Sequence, residues 1–79
     1  MKVLIAGELP LAEDLLAMCA RAGHEASLYL VESLGDANTV QRLADEAALA
    51  DVALECHNES RLAKRRLIEL LAPAPALYV

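Results

Sequence analysis

The sequence predicts an α/β protein with a parallel sheet and helices on both of its faces. Short apolar runs, typical of buried strands, alternate with segments whose apolar residues recur at helical spacing. Turn-forming residues lie at the junctions between them. This alternation favours parallel strands joined by right-handed crossovers. The 79 residues are enough for a single domain, 1–79. The predicted strands are 2–6, 25–31, 51–56 and 76–79.

The first predicted helix follows the apolar run "KVLIA" and the glycine after it. Pro10 suits the first helical turn, where its missing N–H costs nothing. Gly23 suits a left-handed position at the end of the helix. The apolar stripe between them consists of Leu11, Leu15, Cys19 and Ala22.

Two more helices are predicted in the second half of the chain. The turn at 33–39 offers Asp36 or Asn38 as a cap for a helix with apolar residues at Val40, Leu43, Ala44 and Ala47. Asn58 can cap a third helix that runs through Leu71 and stops at the "PAP" of 73–75. The order is therefore β-α-β-α-β-α-β. The simplest doubly wound arrangement of it is a four-stranded parallel sheet in the order 3-2-1-4, which is half of a Rossmann fold.

Composition and charge exclude several classes of function. The net charge of −5 gives no general attraction to nucleic acid or to an anionic membrane, so we expect neither as a partner. No apolar run reaches the ~20 residues that a membrane span needs. The first apolar run is also short for a secretory signal, which predicts a cytoplasmic protein. Cys19 and Cys56 lack the spacing of a metal site and are interpreted as buried, reduced thiols.

The turn after the first strand, "IAGELPLAEDLL", has the place of the dinucleotide-binding fingerprint G-x-G-x-x-G/A. Gly7, Leu9 and Ala12 occupy its three slots. Two further stretches, "ARAGHEASLY" (20–29) and "ADVALECHNESRLAKRRLIELL" (50–71), make the chain similar to the NAD-binding Rossmann domain of 3-hydroxyacyl-CoA dehydrogenases. The positions that match in the second stretch are Ala50, Asp51, Glu55, Glu59 and Lys64.

The resemblance implies NAD as the cofactor if one binds. It implies a cofactor site made by Gly7, Leu9, Pro10, Leu11, Glu32, Glu59 and Lys64. For Glu59 and Lys64 the alternative is a capping acid and a solvated helical lysine. Arg61, Lys64, Arg65 and Arg66 likewise allow an anion site or a solvated helix face, and the second is favoured because Glu69 lies one turn away.

Departures from the family pattern predict a degenerate cofactor site. The second fingerprint glycine lets the backbone approach a pyrophosphate, but Leu9 stands in that slot. Carboxylates around the start of the helix would repel an anion there: Glu8, Glu13 and Asp14. Leu30 occupies the position of the family's ribose-binding acid. Glu32 lies two residues later and is a displaced substitute for that acid.

No catalytic or metal-ligating residue is predicted. The family's catalytic histidine and its acyl-CoA-binding helical domain come later in the family sequence and have no counterpart in the chain, so we expect no enzyme activity from it alone. Cys56 and His57 leave a strand in opposite directions, which argues against a catalytic pair. His24 falls at the opposite edge of the sheet and is interpreted as structural.

These observations favour a homodimeric scaffold or interaction module. The last predicted strand, 76–79, is apolar and lies at a sheet edge, which invites pairing with a second copy. The alternative is a domain that still binds NAD or another adenine nucleotide as a cofactor-binding or regulatory module of an oxidoreductase.

Overall fold

The computed structural model describes residues 1–56 and 74–78. Their elements follow one another as β1 (Lys2–Gly7), α1 (Leu11–Arg21), β2 (Glu25–Leu30), a 3-10 helix (Val31–Gly35), α2 (Ala37–Leu49), β3 (Val52–Cys56) and β4 (Ala76–Tyr78). The described residues thus form a small α/β fold. The predicted third helix lies outside them. No helix of the described part is long and apolar enough to cross a membrane.

The predicted half-Rossmann sheet is wrong. Three parallel strands lie in the order β2-β1-β3, so β3 pairs with β1 and not with β2. The three-residue β4 extends this sheet beyond β3, also in parallel. The predicted order 3-2-1-4 would have placed β2 inside the sheet, whereas Tyr29 is the one buried residue of β2.

Hydrogen bonds at both ends of the β1–β3 pair fix this order. At the start, the Lys2 N–H donates to Oδ2 of Asp51 at 2.7 Å, and the Asp51 N–H donates to the Lys2 carbonyl at 2.9 Å. At the far end, the Glu8 N–H donates to the Cys56 carbonyl at 2.9 Å. Asp51 therefore has a structural role at the edge of the sheet where β1 and β3 begin.

The second crossover must return over β1 to reach β3, and this places the two helices on opposite faces of the sheet. On the α2 face, the core cluster includes Leu4, Ala6, Tyr29 and Leu43. On the α1 face, it consists of Val3, Ile5, Ala12, Cys19 and Cys56. The two clusters sandwich β1, of which every residue from Val3 to Gly7 is buried.

Local chemistry explains the helix ends. Asp36 is the N-cap of α2, and its side chain accepts hydrogen bonds from the Asn38 N–H at 3.2 Å and the Thr39 hydroxyl at 2.9 Å. Beyond the end of α1, Gly23 adopts a φ of 80°, the left-handed conformation that glycine tolerates best. The predicted cap and the predicted terminating glycine are both found.

Candidate functional site

The candidate site lies where the carboxyl ends of β1 and β3 meet. The chain leaves β1 toward β2 on one side, and β3 lies on the other side, so the strand order reverses at this point. Ligands of open α/β sheets bind outside the carboxyl ends of the strands at such a reversal. The predicted order had placed the reversal between β1 and the last strand.

Gly7 at this edge is required by packing. It pairs with Cys56 in the β1–β3 register, and a Cβ on Gly7 would collide with the Cys56 carbonyl oxygen and lie 2.7 Å from its Sγ. The residue that the sequence placed in the fingerprint therefore brings two strands together. Its close contact is with the protein's own backbone.

The loop after Gly7 carries the other predicted cofactor residues. Leu9 and Pro10 are exposed, and the peptide bond between them is cis. Leu11 is half-buried and packs with the α1-face cluster. The Glu8 carbonyl accepts from the Ala12 N–H at 3.1 Å, which closes the turn onto the helix. The loop thus presents a leucine side chain at the point where the fingerprint needs bare backbone.

Acidic side chains surround the start of α1. Pro10 is its N-cap and makes no side-chain capping bond, while Glu13 and Asp14 occupy the exposed first turn. Such carboxylates stabilise a helix N-terminus by roughly 0.3–1 kcal/mol each through the helix dipole. Because they have the charge of a phosphate, they oppose pyrophosphate binding at the same point.

The ribose-binding position is apolar in the structure as well. Leu30 ends β2 and pairs with Gly7. Glu32 is exposed in the 3-10 helix that follows, so its carboxylate lies in a different element from the strand end it would have to replace.

Cys56 is held as a neutral thiol. Its side chain is buried, and Sγ donates to the Ala6 carbonyl at 3.7 Å. Burial is the largest cause that raises the pKa of this thiol, and the charges of Glu55 and Glu8 add to it. A protonated thiol in these surroundings is a poor nucleophile.

Sequence reasoning gave no role to the burial of Glu55. This acid lies on β3 beside Ala6 and is 0% exposed. Charged side chains are almost never buried completely without an interaction. The sequence indicates this burial only by the position of the glutamate inside the otherwise apolar strand "VALEC".

A second polar cluster, which the sequence reasoning missed, lies on the α2 face of β2. Tyr29 lies together with Glu46 and Arg42, and the charges of both side chains act on this tyrosine. Burial is the main cause that raises the pKa of the Tyr29 hydroxyl, and the Glu46 carboxylate raises it further. A cavity of about 480 Å³ beside the cluster is lined by Ser27, Leu28, Tyr29, Leu30, Ser33, Thr39, Arg42 and Glu46.

Some predicted residues fall outside the described part of the chain. They are His57, Glu59, Arg61, Lys64, Arg65 and Arg66. Within residues 1–56 and 74–78, no group of three or more His, Cys, Asp or Glu side chains is placed to hold a metal ion.

Comparison with known proteins supplies no relative. No protein-family model, curated protein or solved structure matches the chain. The resemblance to 3-hydroxyacyl-CoA dehydrogenases therefore stays a prediction.

Proposed function

We propose that the chain is a non-catalytic interaction module that forms a homodimer through β4. The observation that carries this proposal is the place of β4 at the outer end of the sheet, with Leu77 58% exposed. An edge strand presents backbone N–H and C=O groups that another strand can pair with. Two copies joined through β4 about a two-fold axis would form one continuous sheet.

The chemistry of the candidate site supports a role without catalysis. Gly7 is required for the packing of β1 against β3, and Leu9 places an exposed side chain in the loop. The negative charges of Glu13 and Asp14 would repel an anionic ligand. Cys56 is a buried, neutral thiol. The polar groups at this edge therefore serve the fold.

The cysteines support a cytoplasmic location within the same proposal. Cys19 and Cys56 are both free and buried. Free thiols are typical of proteins in reducing compartments, whereas disulfides are typical of secreted ones.

The dimer is tested by sedimentation equilibrium across the micromolar range. We expect the wild type to self-associate and Leu77→Lys to weaken the association through β4 at least about tenfold, because two lysines would then meet at the joined edges. Met18→Lys is the matched control, since Met18 is 56% exposed but lies on α1. Equal dissociation constants for the wild type and Leu77→Lys would contradict the β4 interface.

A second candidate function is binding of NAD or another adenine nucleotide. The observation that favours it is the N-terminus of α1, which has no side-chain cap and lies at the strand reversal. Calorimetric titration with NAD, NADH, ADP and coenzyme A tests it directly. Saturable binding by the wild type would favour this candidate. Binding only by Leu9→Gly would identify Leu9 as the block, with Leu49→Gly as a control for the loss of an exposed leucine.

A further inference from the structure

The opposite edge of the sheet, formed by β2, is also open in the described part of the chain. β2 pairs with β1 along one side, and no described strand pairs with its other side. This edge is six residues long, Glu25–Leu30, which is twice the length of β4. A longer edge offers more backbone groups to a second strand.

Helix α2, on one face of the sheet, carries one charge of each sign toward β2. Arg42 and Glu46 are four residues apart on α2, and both line the 480 Å³ cavity along β2. The structure shows no ion pair between these two described side chains. Oε2 of Glu46 is buried and has no hydrogen-bond partner among the described residues.

A second cavity gives the direction of α2 relative to β2. It has a volume of about 190 Å³ and is lined by Glu25 and Ser27 of β2 and by Glu46 and Leu49 of α2. Thr39 and Arg42 accompany the end of β2, while Leu49 accompanies its start. α2 thus runs opposite to β2, and the midpoint between Arg42 and Glu46 lies near the middle of the strand.

We propose that the outer edge of β2 binds a second copy of this chain across a two-fold axis. Arg42 of each copy then faces Glu46 of the other. An isologous interface must be complementary to itself, so each charge needs its opposite at an equal distance beyond the axis. Arg42 and Glu46 meet this requirement when the axis passes near the middle of β2.

This interface is separate from the β4 dimer and does not depend on it. If both edges associate, each copy binds one neighbour through β2 and another through β4, and the assembly does not close. The two interfaces also differ in chemistry. The β2 contact depends on ion pairs and weakens with salt, whereas the β4 contact depends on the apolar Leu77.

The test uses the Leu77→Lys chain, so that β4 is blocked. Sedimentation equilibrium should still show a dimer. Arg42→Glu should raise its dissociation constant at least about tenfold, because two pairs of like charges would then meet. Arg21→Glu, the same charge reversal in the last turn of α1, should leave the constant unchanged.

Mixing two variants gives the decisive measurement. Arg42→Glu and Glu46→Arg should each be monomeric alone, because each meets its own copy with like charges. Mixed in equal amounts they should form a heterodimer, because every charge then meets its opposite. The double variant R42E/E46R should dimerise again by itself. Circular dichroism checks that each variant is folded, and Arg42→Glu carries the test alone if Glu46→Arg is not, since Arg42 is exposed.

Two results would overturn the proposal. One is a Leu77→Lys chain that stays monomeric at high micromolar concentration, which would leave the β2 edge to a strand from a different protein. The other is a dimer whose dissociation constant is the same in Arg42→Glu and Arg21→Glu. A Leu77→Lys chain that forms no dimer contradicts the β2 interface and not the β4 interface. A Leu77→Lys chain that associates as strongly as the wild type contradicts the β4 interface and not the β2 interface.

Discussion

Gly7 and Cys56 face each other across β1 and β3 so closely that no side chain fits on Gly7. The approach is between backbones, with the Cys56 carbonyl oxygen directed at the glycine. The same carbonyl accepts the Glu8 N–H at 2.9 Å. The contact therefore joins the two central strands at the edge where a ligand would bind.

Gly7→Ala should destabilise the protein by about 3 kcal/mol, because the added methyl group meets backbone atoms that cannot rotate away. Urea unfolding followed by circular dichroism measures the loss. Gly35→Ala is the control, since a Cβ there meets nothing within 4 Å. It should stay within about 0.5 kcal/mol of the wild type. Equal effects of the two substitutions would contradict the packing role of Gly7.

Asp36→Ala should cost about 1 kcal/mol, because it removes the N-cap of α2 and both of its hydrogen bonds. Asp45→Ala is the control within the same helix. Asp45 accepts from the Gln41 amide at 3.0 Å, an exposed bond one turn apart that contributes only about 0.2–0.5 kcal/mol. A loss for Asp45→Ala as large as that for Asp36→Ala would show that the cap is not specific.

Leu43→Ala should destabilise the protein by about 2–5 kcal/mol, because Leu43 is 0% exposed in the α2-face cluster and its removal leaves a cavity. Leu49→Ala, on the same helix at 71% exposure, should change the stability by less than about 0.5 kcal/mol. Thermal and urea unfolding of the two variants provide the comparison. Similar losses would mean that α2 does not pack as described.

Stability should fall in alkaline solution. The folded state raises the pKa values of Cys56 and Tyr29 above their ordinary values of 9.0 and 10.0. Each group therefore binds its proton more tightly when folded. Its contribution is complete below the ordinary pKa and is lost as the pH rises through the folded pKa.

Melting temperatures measured from neutral pH to well above the ordinary pKa of tyrosine should show this fall, because each contribution is lost between the ordinary and the folded pKa. Cys56→Ala removes the earlier part of the loss and Tyr29→Phe the later part, since each variant lacks one titrating group. A Tyr29→Phe profile that is parallel to the wild type throughout would contradict the effect assigned to Tyr29.

Secondary structure was largely predictable because its signals are local. The apolar run after Lys2, the terminating Gly23 and the cap at Asp36 act on residues next to them, and each appears where it was expected. The strand order was not predictable in this way. The sequence of an apolar strand does not specify which strand it pairs with. β3 lies beside β1 because Gly7 leaves room for the Cys56 carbonyl and because Asp51 hydrogen-bonds Lys2.

The same distinction between local and tertiary information applies to the candidate site. By itself, the sequence determined that Leu9 and the acids Glu13 and Asp14 stand at the start of α1, because positions and charges there follow from order along the chain. Only the tertiary structure placed Tyr29 of β2 against Arg42 and Glu46 of α2. Contacts between elements depend on which faces pack together, and that is decided by the burial of the whole core.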